Sequence, residues 1–182
     1  MRIIAGTLKG RRLTPPRWDG LRPTSDKLRE TLFNVLGPAV EGQRVLDAYA
    51  GTGAVGIEAL SRGATHVTFV ESDRRAADLI EQNLSRCGVS DRHAIIRVEF
   101  ARARQRLTGA DFDVIFLDPP YGADELVKAL KTAAELASGH SLVIAEHAKR
   151  DKVPANAGPL TLTRDLVSGD SALAFYRYRT ND

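Results

Sequence analysis

Asp118-Pro119-Pro120-Tyr121 places a carboxylate, two ring-locked backbone positions and an aromatic face within four residues. Such a group suits a flat heterocycle that carries an amine. An exocyclic amine on a purine is a poor nucleophile, because its lone pair is delocalised into the ring. Two fixed acceptors for its N–H hydrogens let the nitrogen pyramidalise and free that pair. Asp118 can supply one acceptor and the carbonyl of Pro119 the other. With φ locked at Pro119 and Pro120 the acceptors stay in place, and Tyr121 offers a surface for stacking. A site of this kind works by positioning and electrostatics. It calls for no metal, and His66, His93, His140 and His147 form no ligand cluster in the sequence.

A second group lies upstream. Gly51-Thr52-Gly53-Ala54-Val55-Gly56 matches G-x-G-x-x-G, and Glu71, followed by Ser72, comes 20 residues after Gly51. That is the spacing of a dinucleotide fingerprint, with the acid on a ribose hydroxyl. Two features point elsewhere. Asp47, with Ala48-Tyr49-Ala50, lengthens the turn before the glycines, and a carboxylate there would repel a pyrophosphate. The 118–121 group is not required for hydride transfer. S-adenosylmethionine satisfies both observations: its ammonium suits Asp47, its ribose diol suits Glu71, and the glycines let the backbone approach closely. Further on, Glu99 can accept from an adenine N6 amine and Phe100 can pack on the adenine ring; equally, Phe100 can belong to the core and Glu99 to water.

These groups need strands and helices to hold them. The run 112–117 has strand length and composition, so Asp118 falls at a strand's C-terminal end, the edge where open α/β sheets bind ligands. Strands are expected at 45–47, 66–71, 94–100, 112–117 and 141–147, alternating with helices at 54–62, 73–86 and 123–138. The third of these strands carries Glu99 and Phe100. Alternation of this kind implies a parallel sheet with right-handed crossovers. The tail differs: 160–166 and 172–178 flank Ser168-Gly169-Asp170 and read as an antiparallel hairpin closing one edge. Seven strands result. Upstream, residues 1–23 are rich in Gly, Arg and Pro and read as a small hairpin followed by an extended arm. Thr24 or Ser25 then caps a helix with Leu28, Leu32, Val35 and Leu36 on its apolar face, stopped by Gly37-Pro38.

The 182 residues, 43% hydrophobic and 27% charged, are expected to form one domain with a small appendage. The opening residues are too short an apolar run for a signal peptide, and no segment has the length to span a bilayer. The single Cys87 excludes an internal disulfide, so the cytoplasm is the expected compartment. No apolar stripe demands a partner subunit, and a monomer is expected. Charge is uneven. Residues 1–29 hold eight basic side chains against Asp19 and Asp26, a balance of +6, which leaves −3 for the remainder of a chain whose net charge is +3. A basic segment on a near-neutral body is a docking element for a polyanion or a solvated tail.

The chain resembles the bacterial enzymes that methylate N2 of a guanine in 16S ribosomal RNA. The likeness runs through Arg2-Ile3-Ile4-Ala5-Gly6, Lys9-Gly10-Arg11-Arg12-Leu13 and Arg22-Pro23-Thr24-Ser25-Asp26-Lys27-Leu28-Arg29-Glu30. It continues in Leu46-Asp47-Ala48-Tyr49-Ala50-Gly51-Thr52-Gly53, Gly56-Ile57-Glu58-Ala59-Leu60-Ser61-Arg62-Gly63-Ala64 and Asp118-Pro119-Pro120-Tyr121. The resemblance implies a Rossmann-like class I methyltransferase domain over 24–182 and an RNA-docking hairpin over 1–23. It implies S-adenosylmethionine held by Asp47, Tyr49, Gly51, Gly53, Glu71, Ser72, Glu99 and Phe100. Asp118, Pro119, Pro120 and Tyr121 would act on the guanine, flipped out of its stack. Lys9, Arg11, Arg12, Arg22, Thr24 and Arg29 would meet RNA of the small ribosomal subunit, the basic side chains through its phosphates. Adenine-N6 methylation of DNA or RNA is the alternative, since the same acceptors serve either amine; it is disfavoured because little sequence remains for a target-recognition domain. One stretch departs from the family pattern: Arg102, Arg104 and Arg106 crowd a segment that is more neutral in the family, and a solvated helix face explains them.

Overall fold

The computed structural model describes residues 1–20 and 24–179, so Arg22 lies outside the described residues. The strands are β1 (Arg44–Ala48), β2 (His66–Val70), β3 (His93–Ile96), β4 (Val114–Leu117), β5 (Leu142–Ala148), β6 (Asn156–Ala157), β7 (Leu160–Ser168) and β8 (Ser171–Tyr178). The helices are α1 (Asp26–Leu36), α2 (Ala54–Ser61), α3 (Arg74–Arg86), α4 (Phe100–Leu107) and α5 (Ala123–Leu136), with a 3-10 turn over Gly37–Val40. One sheet takes all eight strands in the order β3-β2-β1-β4-β5-β8-β7-β6. The first five are parallel and the rest antiparallel.

The parallel strands are apolar on both faces because both are covered. Val45, Val67, Phe69, Val114, Phe116 and Ile144 pack with α1, α2 and α3. Their alternates Leu46, Ala48, Ile115, Leu117, Val143 and Ala145 pack with α4 and α5. Gly56 lets α2 lie against β2: a Cβ there would stand 2.2 Å from the Phe69 ring.

The N-terminal segment is a small hairpin joined by an Arg2–Arg12 bridge, with Ile3 N–H donating to Arg11 O at 2.9 Å. Ile3 and Leu13 enter the core beside α1 and α2. Glu58, fully buried on α2, accepts from Ile4 N–H at 2.8 Å and Ala5 N–H at 3.0 Å, and is paired with Arg62. Asn83, fully buried on α3, accepts from Thr14 N–H at 2.7 Å and donates to Thr52 O at 3.0 Å. The basic segment is therefore bound to the sheet-covering helices through buried polar groups.

Two expectations change. The sheet has eight strands rather than seven, because Asn156–Ala157 adds a two-residue edge strand beyond the hairpin. That hairpin enters through β8, whose residues 171–177 pair with the whole of β5. The third strand stops at Ile96, and Phe100 opens a helix whose Phe100, Ala103 and Leu107 face the core at helical spacing. Arg102 and Arg106 are exposed on the outer side of that helix, and Arg104 pairs with Glu135 of α5.

Candidate active site

The chain leaves β1 toward β2 on one side and returns later to lay β4 on the other. At such a switch point the loops beyond the strand ends diverge and leave a crevice. The loop after β1 and the Asp118–Tyr121 segment after β4 flank this crevice, which forms a cavity of about 360 Å3.

The floor comes from the turn after β1. Tyr49 sits at φ 62, Gly51 at φ 57 and Gly53 at φ 76. Holding a tyrosine in the left-handed region costs on the order of 1–3 kcal/mol, a strain found most often at functional sites. Its ring meets the buried Phe100 edge-on, with centroids 5.6 Å apart. Burial, with the Glu125 charge as a smaller cause, pushes the Tyr49 hydroxyl up to about 12, so it remains a neutral donor. Gly53 caps α2, and a Cβ there would lie 3.1 Å from Ile80.

Two carboxylates organise this turn. Glu71 accepts from Gly51 N–H at 2.8 Å through Oε2 and from Asp73 N–H at 2.8 Å through Oε1. Each oxygen keeps a further lone pair for a ligand hydroxyl. Asp47 accepts from Gly56 N–H at 2.9 Å through Oδ2 and is only 2% exposed. Burial is the main cause that pushes its pKa from 3.8 up to about 8; the Gly56 hydrogen bond opposes this and the Glu71 charge adds to it. Burial thus shifts Asp47 toward its neutral form, a bias that a cation beside it would oppose.

The opposite wall is Asp118, Pro119, Pro120 and Tyr121. Thr24 Oγ1 donates to Asp118 Oδ2 at 3.4 Å, which ties the start of α1 to this wall. The Tyr121 hydroxyl lies 3.2 Å from Ser171 Oγ on β8, so the segment crosses the end of β5. Beneath it Glu146 of β5, 6% exposed, also faces the cavity. Four carboxylates (Asp47, Glu71, Asp118, Glu146) line the space, with no Lys or Arg among the described lining residues. This lining favours a cationic ligand and disfavours a pyrophosphate.

The structure thus brings Asp47, Tyr49, Gly51, Glu71, Ser72, Thr24 and the four residues 118–121 to one cavity. Gly53 stands just behind it as the helix cap. Glu99 does not reach it: its side chain is 69% exposed and 3.8 Å from Arg102. Phe100 acts from the core, through Tyr49. Lys9, Arg11 and Arg12 are exposed on the hairpin. Arg29 is not: it is fully buried, with Nη2 donating to Arg2 O at 2.8 Å and Asp26 Oδ1 at 2.7 Å, and so holds the hairpin to α1 instead of meeting a phosphate. Sequence reasoning did not single out Glu146. The available signal was an acid near the C-terminal end of a strand that is apolar up to that point.

The strand order, five parallel strands with an antiparallel edge, is that of the Rossmann-like methyltransferase fold. The chain belongs to the family described as Conserved hypothetical protein 95, whose pattern matches residues 1–177. Among its relatives, "Putative rRNA methyltransferase YlbH" of Bacillus subtilis is 38% identical over 98% of this chain and 100% of its own length. "Ribosomal RNA small subunit methyltransferase D" of Escherichia coli K12 is 33% identical over 97% of this chain and 89% of its own. The solved structure "Putative methyltransferase yhhF from Escherichia coli" superposes with a TM-score of 0.83 at 32% identity, covering 98% of each chain.

Proposed function

We propose that this chain methylates the exocyclic N2 amine of a guanine in 16S ribosomal RNA, on the small ribosomal subunit or its assembly intermediate, using S-adenosylmethionine. The observation that carries the reading is the shared cavity: the glycine turn with Glu71 on one wall and Asp118–Tyr121 on the other. A donor and an amine held there can meet without rearrangement of the sheet. The names of the relatives, which specify ribosomal RNA and the small subunit, support the substrate class.

The residues present fit the cofactor. Gly51 and Gly53 hold left-handed conformations in the turn, Glu71 stands where a ribose diol can be bonded, and the acidic lining suits a molecule with two positive centres. When bound, the cofactor supplies a methyl group made electrophilic by its sulfonium. Asp118 and the Pro119 carbonyl would accept the two N–H hydrogens of the amine and turn its lone pair toward that methyl. The proton shed as nitrogen becomes methylated leaves along the Asp118 hydrogen bond. Tyr121, 43% exposed, offers the flipped base a face to stack on. Asp47 would ionise as an ammonium settles beside it. Lys9, Arg11 and Arg12 would hold phosphates and position the subunit.

Calorimetric titration together with methyl transfer tests the reading. The wild type is expected to bind S-adenosylmethionine and not NAD. Asp118→Ala is expected to keep that binding and lose transfer to small-subunit particles. NAD binding without S-adenosylmethionine binding, or full transfer by Asp118→Ala, would overturn it.

A further inference from the structure

We propose that Trp18 is a positioning residue for the cofactor site: by stacking on Arg75 it holds the stretch 14–20 against the cavity and slows the release of S-adenosylmethionine. The inference rests on the S-adenosylmethionine reading proposed above and adds to that site a residue from the N-terminal arm.

Three contacts place this stretch. At its start, Thr14 N–H donates to Asn83 Oδ1 at 2.7 Å, and Thr14 Oγ1 accepts from Arg86 Nη1 at 2.8 Å. Asn83 also donates to Thr52 O at 3.0 Å, and Thr52 lines the cavity. Pro15 and Pro16 follow, and their fixed φ limits the conformations open to the chain. Half-buried Trp18 then meets Arg75, whose guanidinium carbon stands 5.0 Å from the centre of the indole. Two residues later, Gly20 is itself part of the cavity lining.

Arg75 is a fixed partner. Its Nε and Nη2 donate to the two oxygens of Asp73, at 3.3 and 2.8 Å, so the guanidinium plane is held and one face is offered to the indole. Asp73 N–H in turn donates to Glu71 Oε1 at 2.8 Å. The indole is therefore stacked on the segment that carries the acid of the glycine-turn wall. Trp18 packs against neither of the two apolar cores among the described residues. Its contact with Arg75 ties down a stretch that ends in the cavity lining.

A ligand that fills the cavity is bounded by Gly20. Order already present in the free protein does not have to be created on binding. Loss of the stack would free the stretch, and apparent affinity would fall with the fraction of molecules in which it still lies in place. A cation–π contact at an exposed site sets the size of that effect at about 2–5-fold.

Surface plasmon resonance on the immobilised full chain, with S-adenosylmethionine as analyte, reads the release rate. Trp18→Ala is expected to release the ligand about 2–5-fold faster, and Trp18→Phe to recover part of the loss. Arg75→Ala is expected to act in the same direction, and the double variant to be no worse than the worse single one. An unchanged release rate in Trp18→Ala, or two effects that simply add, would overturn the inference. An indole that merely covers surface has no such coupling to Arg75. By reciprocity the ligand must also favour the stack. Trp18 is the chain's single tryptophan, so its emission reports this stretch alone. Saturating S-adenosylmethionine is expected to reduce the quenching of that emission by acrylamide. Unchanged quenching in the wild type would overturn the inference without any variant having to fold. A wild type that bound no S-adenosylmethionine in the calorimeter would instead overturn the cofactor reading.

Discussion

Asp47→Asn isolates the consequence of a carboxyl buried at the end of β1. Asp47 has its pKa pushed from 3.8 up to about 8, while in the unfolded chain it returns to the ordinary value. Between those limits the folded state holds a proton that the unfolded state has released. Stability must fall as pH rises through that window. The contribution is fully present below about pH 4 and is lost as pH rises through about 8. At 1.36 kcal/mol per unit, the loss accumulated by pH 7 is on the order of 4 kcal/mol. Asparagine keeps the shape and an acceptor for Gly56 N–H but does not titrate. The variant should therefore be more stable than the wild type by up to about 4 kcal/mol at pH 7, and similar to it near pH 4. Urea denaturation at a series of pH values between these limits measures the difference directly. Parallel pH dependences for the two proteins would refute the reasoning. The added stability should come with weaker S-adenosylmethionine binding. Wild-type binding should release a proton near pH 7, visible as a dependence of the calorimetric enthalpy on the buffer's own ionisation enthalpy.

Gly56→Ala would drive a Cβ to 2.2 Å from the Phe69 ring, and a loss of about 1–3 kcal/mol is expected from overpacking; an unchanged melting temperature would contradict the α2–β2 packing. Glu58→Ala removes the acceptor of Ile4 N–H, Ala5 N–H and Arg62, so it should cost about 3–5 kcal/mol and speed amide exchange at residues 4 and 5. Asn83→Ala cuts the bonds from α3 to Thr14 and Thr52. It should cost about 1–3 kcal/mol, raise exchange at Thr14, and weaken cofactor binding because Thr52 lines the cavity.

Much of the site was legible because its chemistry is local in sequence. The glycine turn, Glu71 and Asp118–Tyr121 each follow a recognisable strand, and parallel β/α alternation brings successive strand ends to one edge. What was not legible depended on contacts between distant segments. Arg29 reads as one more basic residue of a basic segment, yet it shares a face with Leu32, Phe33 and Leu36 at positions i, i+3, i+4 and i+7, and that face is buried. Phe100 continues an alternating run after Ile96, so the strand looked longer; only the helical spacing to Ala103 and Leu107 marks the change. β6 is too short to show a period, and nothing local says that β8 rather than β7 pairs with β5. Asp47 was legible as a residue but not in its protonation state, which depends on what encloses it.

The proposed activity yields one product on one RNA. Small-subunit particles from a strain lacking this protein would be incubated with the purified chain and S-adenosylmethionine carrying a labelled methyl group, then digested to nucleosides and identified by mass spectrometry. Label in N2-methylguanosine from a single 16S position is the predicted result. Label in methyladenosine, or in RNA other than 16S, would contradict it.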